Sequence, residues 1–151
     1  MTHAEILKKT RLFVEEKFNG ESSGHDWAHM YRVWQLSRRI AEGEPKADLF
    51  VVELGALLHD IADWKFHDGD EEAGPREARK WLESINADED IIKKVEHVVA
   101  HISFHSALNK DRPELSLEAK IVHDADKLDA IGAIGIARTF IYSGSKGRPM
   151  Y

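Results

Sequence analysis

The chain has no cysteine, and that absence removes two chemistries at once. No disulfide can staple it, and no thiolate can hold a metal, so any bound cation must rest on nitrogen and oxygen donors. No apolar run is long enough to span a bilayer, and the N-terminus lacks the basic start and apolar stretch of a signal peptide. The expectation is a cytoplasmic protein with no membrane partner. Strand patterns, hairpin signals, repeats and low-complexity segments are missing, as is a glycine-rich phosphate loop following a strand. Basic charge is also in deficit, with 21 Lys and Arg against 27 Asp and Glu for a net charge of −6. With no Lys/Arg run to offset it, stable nucleic-acid binding is disfavoured. A small nucleotide is not, because a bound cation can neutralise its phosphates locally.

What is present is helical periodicity, nearly throughout 151 residues that read as one domain, 1–151. Thr2 with Glu5 three residues later forms a capping-box pattern for a first helix reaching about Phe18. Asp26 suits the start of a second, carrying Trp27, Met30, Tyr31 and Trp34 on one face and His29, Val33, Leu36 and Ile40 on another. The third, from about Ala47 to Ala62, is apolar almost all round and should be central. Pro75 fits the first turn of a fourth, and a fifth runs from about Asp90 to Ser103. Ser116 opens a last long helix through Leu128 and Ile134 to Tyr142. The class is all-α, a compact bundle of about six helices. After Ser143 the chain reads as a loop, beyond which a further element is expected.

Nine histidines are many for this length, and the most informative one is half of a pair. His59-Asp60 ends the apolar run Leu54-Gly55-Ala56-Leu57-Leu58, where burying either group costs several kcal/mol unless it is paired or bound to a metal. His29 lies upstream in a strongly apolar helix and Asp126 downstream in another. The order His, His-Asp, Asp reads as a divalent-metal site assembled from three helices. Imidazoles and carboxylates suit Mn²⁺, Fe²⁺, Zn²⁺, Co²⁺ and Ni²⁺, and two carboxylates favour the harder members. Such a cation can acidify water and neutralise charge developing on a phosphoryl group.

The string Glu53-Leu54-Gly55-Ala56-Leu57-Leu58-His59-Asp60-Ile61-Ala62-Asp63 resembles the signature of the HD superfamily of metal-dependent phosphohydrolases. So do His29-Met30-Tyr31-Arg32-Val33 and Asp124-Ala125-Asp126-Lys127-Leu128. The segments Gly24-His25-Asp26-Trp27, Ala62-Asp63-Trp64-Lys65-Phe66 and Ala130-Ile131-Gly132-Ala133-Ile134-Gly135-Ile136-Ala137-Arg138 are similar to a small bacterial branch that includes a Mn²⁺-dependent nucleoside triphosphate pyrophosphohydrolase. The resemblance implies an HD-domain bundle with His29, His59, Asp60 and Asp126 as ligands of one divalent ion, Mn²⁺ favoured over Mg²⁺, Fe²⁺, Co²⁺, Ni²⁺ or Zn²⁺. It selects Asp126 over Asp124. It also implies hydrolysis of nucleoside triphosphates to monophosphate and pyrophosphate. The alternatives are a nucleotidase or phosphodiesterase, a di-iron oxygenase, or a non-catalytic nucleotide-binding module. Relatives of this branch continue with further helices after a Gly-Arg-Pro loop, so a C-terminal helical extension is expected beyond this chain.

Around the four donors, Asp63 follows His59 by one helical turn and is the candidate catalytic acid or base. Lys65, Lys146 and Arg148 are candidate phosphate contacts. Trp64 and Phe66 could stack a base. Arg32 and Lys127 are expected to pair with carboxylates near the site. His97, His101 and His105 are spaced by four, as are His25 and His29, which can pair ligands on a helix face. With His123 such extra histidines could hold a second metal, although a pocket lining or solvated face is the commoner use of such a stripe. A homo-oligomer is compatible with the composition.

Overall fold

In the computed structural model, residues 1–21, 24–62, 70, 72–102 and 114–149 are described, and every regular element among them is a helix. Helix α1 (His3–Lys17) starts on the capping box read from the sequence, with Thr2 and Glu5 satisfying each other's backbone N–H groups. Asp26 caps α2 (Trp27–Ala41) by accepting from the His29 backbone N–H at 2.9 Å. Asp48 caps α3 (Leu49–Leu58), Asp88 caps α5 (Glu89–His101) and Ser116 caps α6 (Leu117–Leu128). Helix α4 (Ala73–Ser84) carries Pro75 in its first turn, where a missing N–H costs no hydrogen bond. The chain ends with α7 (Gly132–Ser145).

The bundle is built round α3, whose residues from Phe50 to Leu58 are all buried. Helices α1, α2, α5 and α6 pack against it, while α4 lies on α5 and α2 on α6. Val52, Leu54, Leu57 and Leu58 are inaccessible to solvent; burying each contributes on the order of 1.5–3 kcal/mol. Glu53 is the exception on this helix, and it is paid for locally: Trp34 Nε1 donates to it at 3.1 Å and Arg38 Nε lies 3.2 Å away. Helices α1 and α4 are joined by Phe13 stacked on Trp81 at 3.9 Å and by the Trp81 indole donating to Thr10 Oγ1 at 2.9 Å. No helix among the described residues is long and apolar enough to cross a membrane.

Two boundaries differ from the sequence reading, and both shape the site. The third helix closes at Leu58, because Ile61 N bonds to Leu58 O and tightens the chain into a turn over residues 59–62. The expected long last helix is two. Asp129 caps α6, and Ala130 N and Ile131 N bond back to Lys127 O and Leu128 O. Gly132 then turns the chain at φ +65, a backbone state open to glycine at little cost. Gly135 lies so close to the Ala130 carbonyl that a Cβ there would collide with it. The resulting α7 is peripheral, with Ile134, Ile136, Phe140 and Ile141 exposed.

Candidate metal centre

His29 comes from the first turn of α2, His59 and Asp60 from the turn that closes α3, and Asp126 from the last turn of α6. Both imidazoles are fully buried, while the carboxylates keep 19% of their side-chain surface. His29 Nε2 and His59 Nε2 lie 3.3 Å apart. Asp60 Oδ2 is 3.5 Å from each, and Asp126 Oδ1 is 3.6 Å from His29 and 3.8 Å from His59. A first-row cation with ligands near 2.1 Å sets neighbouring donors about 3.0–3.5 Å apart, and these five separations lie in or just above that range.

The other ring nitrogens explain why these donors face one another. His59 Nδ1 donates to the Ala56 carbonyl at 2.8 Å, and His29 Nδ1 donates to Asp129 Oδ2 at 2.8 Å. Each hydrogen bond fixes its ring with the proton on Nδ1 and the lone pair on Nε2, the form a metal takes. The second oxygen of Asp126 accepts from Lys127 Nζ at 2.8 Å. Asp60 accepts from His25 Nδ1 at 2.8 Å. His25, His29 and Asp60 form a second cluster of donor atoms, overlapping the one made by His29, His59 and Asp126. The C-terminal end of α3 points its negative dipole end towards the same place.

Electrostatics agree with a cation site. Burial pushes the Asp60 carboxyl upward, but His59, His25 and His29 outweigh it and hold the group well below the ordinary carboxylate range. Asp126 is lowered in the same way, with His59 as the main opposing influence. For His29, burial disfavours the charged ring, yet hydrogen bonds to Asp129 and Asp60 leave it raised. The neighbouring carboxylates thus favour the protonated form of His29, a proton that a bound cation would displace.

Asp129 was not singled out by the sequence reading, and it is the most heavily bonded carboxylate near the site. Only 3% of its side chain is exposed. Besides His29, it accepts from Arg32 Nε at 2.6 Å and Nη2 at 3.0 Å, and from Arg138 Nη1 at 3.2 Å. Burial raises its pKa, but His29 and Arg32 more than reverse this and hold it far below the ordinary range. One signal existed: Asp126 and Asp129 are three residues apart on α6 and its cap, hence on one side of the helix. The expected pairing of Arg32 and Lys127 with carboxylates is present, to Asp129 and Asp126 respectively.

Beside the donors lies a cleft of about 320 Å³ between α7 and the Gly24-His25 turn, lined by His25, Arg138, Thr139, Tyr142, Ser143 and Arg148. Arg148 was expected in such a position, His25 only as a residue spaced to pair with His29, and Arg138 in no role. Lys146 does not line this cleft; its Nζ lies 5.7 Å from the Tyr142 ring centroid. Asp63, Lys65, Trp64, Phe66 and His105 lie outside the described residues. On α5, the His97 and His101 rings pack with centroids 4.3 Å apart and planes tilted by 35°. His101 Nδ1 donates to the His97 carbonyl, and His97 Nε2 accepts from the Ser116 backbone N–H. Burial pushes His97 below its ordinary pKa, helped by His101. His123 faces Asp124 at 3.4 Å. None of these three histidines belongs to the donor clusters found among the described residues.

Comparison with known proteins places this geometry in a family. Residues 26–131 match the HD domain model, an interval that contains all four donors and Asp129. The uncharacterised Bacillus subtilis protein YpgQ is 41% identical over 151 residues, covering all of this chain and 73% of the relative. A crystal structure of YpgQ in complex with ADP superposes with a TM-score of 0.78, covering 100% of this chain and 72% of that one at 37% identity. An HD-superfamily hydrolase from Bacillus thuringiensis is 42% identical, with a TM-score of 0.73 over 99% of this chain and 71% of its own. A predicted HD-superfamily hydrolase from an uncultured Thermotogales bacterium is 32% identical, with a TM-score of 0.68 over 96% and 83% of the two chains. The buried His/Asp cluster and these relatives lead to one assignment: the chain belongs to the HD superfamily, among its hydrolases.

Proposed function

We propose that this HD-superfamily member is a divalent-metal-dependent nucleotide phosphohydrolase that converts nucleoside triphosphates to monophosphates and pyrophosphate. Residues 1–151 act in it as one HD domain. The observation that carries the reading is the convergence of His29 Nε2, His59 Nε2, Asp60 Oδ2 and Asp126 Oδ1 within 3.3–3.8 Å contacts. These four are the proposed ligands. Two carboxylates with two imidazoles, and no sulfur, favour Mn²⁺ while leaving Mg²⁺, Fe²⁺, Co²⁺, Ni²⁺ and Zn²⁺ open to assay. When bound, the ion supplies Lewis acidity towards a phosphoryl oxygen and lowers the pKa of an adjacent water.

The chain's own residues do the rest. His29 and His59 keep their lone pairs directed inward because Asp129 and Ala56 hold their Nδ1 protons. Asp60 and Asp126 supply the negative charge that holds the cation beside a polyanionic substrate. In the proposed reaction, a water oxygen bonds to the α-phosphorus, the bond from that phosphorus to the α–β bridging oxygen breaks, and pyrophosphate leaves with that oxygen. We assign Asp63 the acid–base role, positioning the water or protonating the leaving oxygen. Lys65, Lys146 and Arg148 are assigned to phosphate oxygens. Support for a nucleotide comes from the ADP bound to YpgQ and from the cationic cleft beside Asp60. Nucleoside triphosphates are a cytoplasmic pool, and the proposal places the protein there.

The deciding experiment incubates purified protein with Mn²⁺, Mg²⁺, Co²⁺ or Ni²⁺ and a panel of nucleotides, and resolves the products. Monophosphate with pyrophosphate is the expected outcome. Orthophosphate as the only inorganic product would make the protein a nucleotidase instead. Turnover without added metal after exhaustive chelation would remove the cation from the chemistry.

A further inference from the structure

Helix α7 is held to the bundle by little apolar packing: its one buried residue is Gly135, and most of its large side chains face solvent. Its firmest visible attachment is polar and passes through one side chain, Arg138. The guanidinium reaches two places. Its Nε donates to the Gly24 carbonyl at 3.0 Å, and its Nη1 lies 3.2 Å from Asp129 Oδ2. Both places support a donor of the metal centre. Asp129 orients His29 through the 2.8 Å bond to Nδ1. Gly24 precedes His25, whose Nδ1 fixes Asp60 Oδ2 at 2.8 Å.

We propose that Arg138 is a positioning residue of the metal centre, one guanidinium bracing the supports of both His29 and Asp60. The assignment rests on the reading of His29, His59, Asp60 and Asp126 as metal ligands. It follows from the shape of the fork: adjacent N–H groups of a rigid plane serve two acceptors at once, which a single ammonium on a flexible stem does not reproduce. Arg138 also lines the cleft. The helix that forms the cleft wall is thereby tied to the groups that orient the metal ligands.

Two simpler accounts of Arg138 make opposite or null forecasts. As a bare positive charge it disfavours a nearby cation, as it disfavours protonation of His29, so its removal would tighten metal binding. As a purely structural pin for α7, or as a substrate contact alone, it would leave the metal affinity of folded protein unchanged. The bracing role forecasts weaker binding. Loss of an outer support of this kind typically costs 10- to 100-fold in metal affinity.

The test is calorimetric titration of the full chain with Mn²⁺ and no nucleotide, for wild type, Arg138→Lys and Arg138→Gln, with thermal unfolding followed by circular dichroism. The expected result is a dissociation constant at least about tenfold higher in both variants, with a cooperative helical unfolding transition retained. Unchanged or tighter binding in both overturns the proposal, as does wild-type affinity in Arg138→Lys with a loss confined to Arg138→Gln. Should Arg138→Gln fail to fold, Arg138→Lys, which keeps the cation and most of the stem, decides alone. His59→Ala is the control that separates levels. A wild type binding no Mn²⁺ more tightly than His59→Ala defeats the metal reading itself, whereas tight wild-type binding undisturbed at Arg138 defeats only the bracing role.

Discussion

The two sides of the candidate site are built in different ways. The His29/His59/Asp60/Asp126 cluster is set into the core, on helices whose apolar faces lock against α3, and its imidazoles have no exposed surface. The cleft wall is α7, with its apolar residues turned outward and polar attachments through Arg138. Donors that must keep ångström-level spacing rest on elements with little freedom to move. Contacts that need only attract a flexible polyphosphate rest on a peripheral helix and its trailing loop. On this contrast, a change on the donor side should damage metal binding and turnover together. A change on the cleft side, Arg138 apart, should damage substrate affinity alone.

The largest effect is expected at His59. Replacing it by Ala removes the ring whose Nε2 lies 3.5 Å from Asp60 Oδ2 and 3.8 Å from Asp126 Oδ1. Mn²⁺ binding should weaken beyond detection in the micromolar range, and turnover should fall by on the order of 10³-fold or more, as when an electrostatic stabiliser of the transition state is lost. Metal content by elemental analysis and steady-state kinetics on the same preparation check both halves. Full turnover with stoichiometric metal in His59→Ala would erase the distinction between the two sides.

Next in size is Asp129→Asn. The amide keeps the shape but can no longer serve as a charged acceptor between His29 and two arginines. Metal affinity should drop about 10- to 100-fold, while the KM for nucleotide at saturating metal changes little. Titration calorimetry combined with kinetics at high Mn²⁺ tests that split. A selective rise in KM would mean that Asp129 belongs to the cleft rather than to the donors.

How much of this was legible beforehand follows the same division. Caps such as Thr2, Asp26 and Ser116 are local signals, set by hydrogen bonds within three residues, and they mark helix starts correctly. The four donors stood out because each is a polar group in an apolar helical context, and the structure brings all four together. Asp129 did not stand out, because what defines it is a bond to a residue one hundred positions away. Arg138 was visible only as the end of a motif, since Gly24 is 114 residues distant. The break between α6 and α7 was missed for another reason: Gly132 and Gly135 sit in an apolar pattern that continues in helical phase, and only the φ of +65 at Gly132 shows the chain turning. Asp63 and Lys65 lie outside the described residues.

A moderate effect is expected from pH, acting on the donor side. In the metal-free protein His29 has a raised pKa, despite burial, because Asp129 and Asp60 favour its charged form. A raised pKa contributes stability that is fully present below the ordinary histidine value of about 6.5 and is lost as pH rises through the folded value. The same proton must leave before a cation can bind, so metal affinity moves the other way. The increment in Tm produced by a fixed Mn²⁺ concentration should therefore grow from pH 6 to pH 8, by up to about 1.4 kcal/mol of binding free energy per pH unit for one displaced proton. Thermal unfolding with and without metal across that range measures it. A metal increment that is flat with pH would mean that His29 is not the group the cation displaces.

The smallest effect is expected on the cleft side, at Arg148. This residue is exposed and reaches the cleft from the loop after α7, where solvent competes for any phosphate it meets. Exposed charge pairs are worth about 0.2–1 kcal/mol, which converts to a rise in KM of no more than about fivefold for Arg148→Ala. Mn²⁺ affinity and kcat should stay within experimental error of wild type, because among the described residues Asp129 is held by His29, Arg32 and Arg138, not by Arg148. Because the contact is electrostatic and exposed, the difference in KM should also shrink as ionic strength rises and the Debye length shortens. Kinetics at two salt concentrations suffice. A fall in kcat or in metal affinity for Arg148→Ala would show that the loop after α7 reaches the reacting centre, and the separation of a rigid donor side from a forgiving cleft side would no longer describe this molecule.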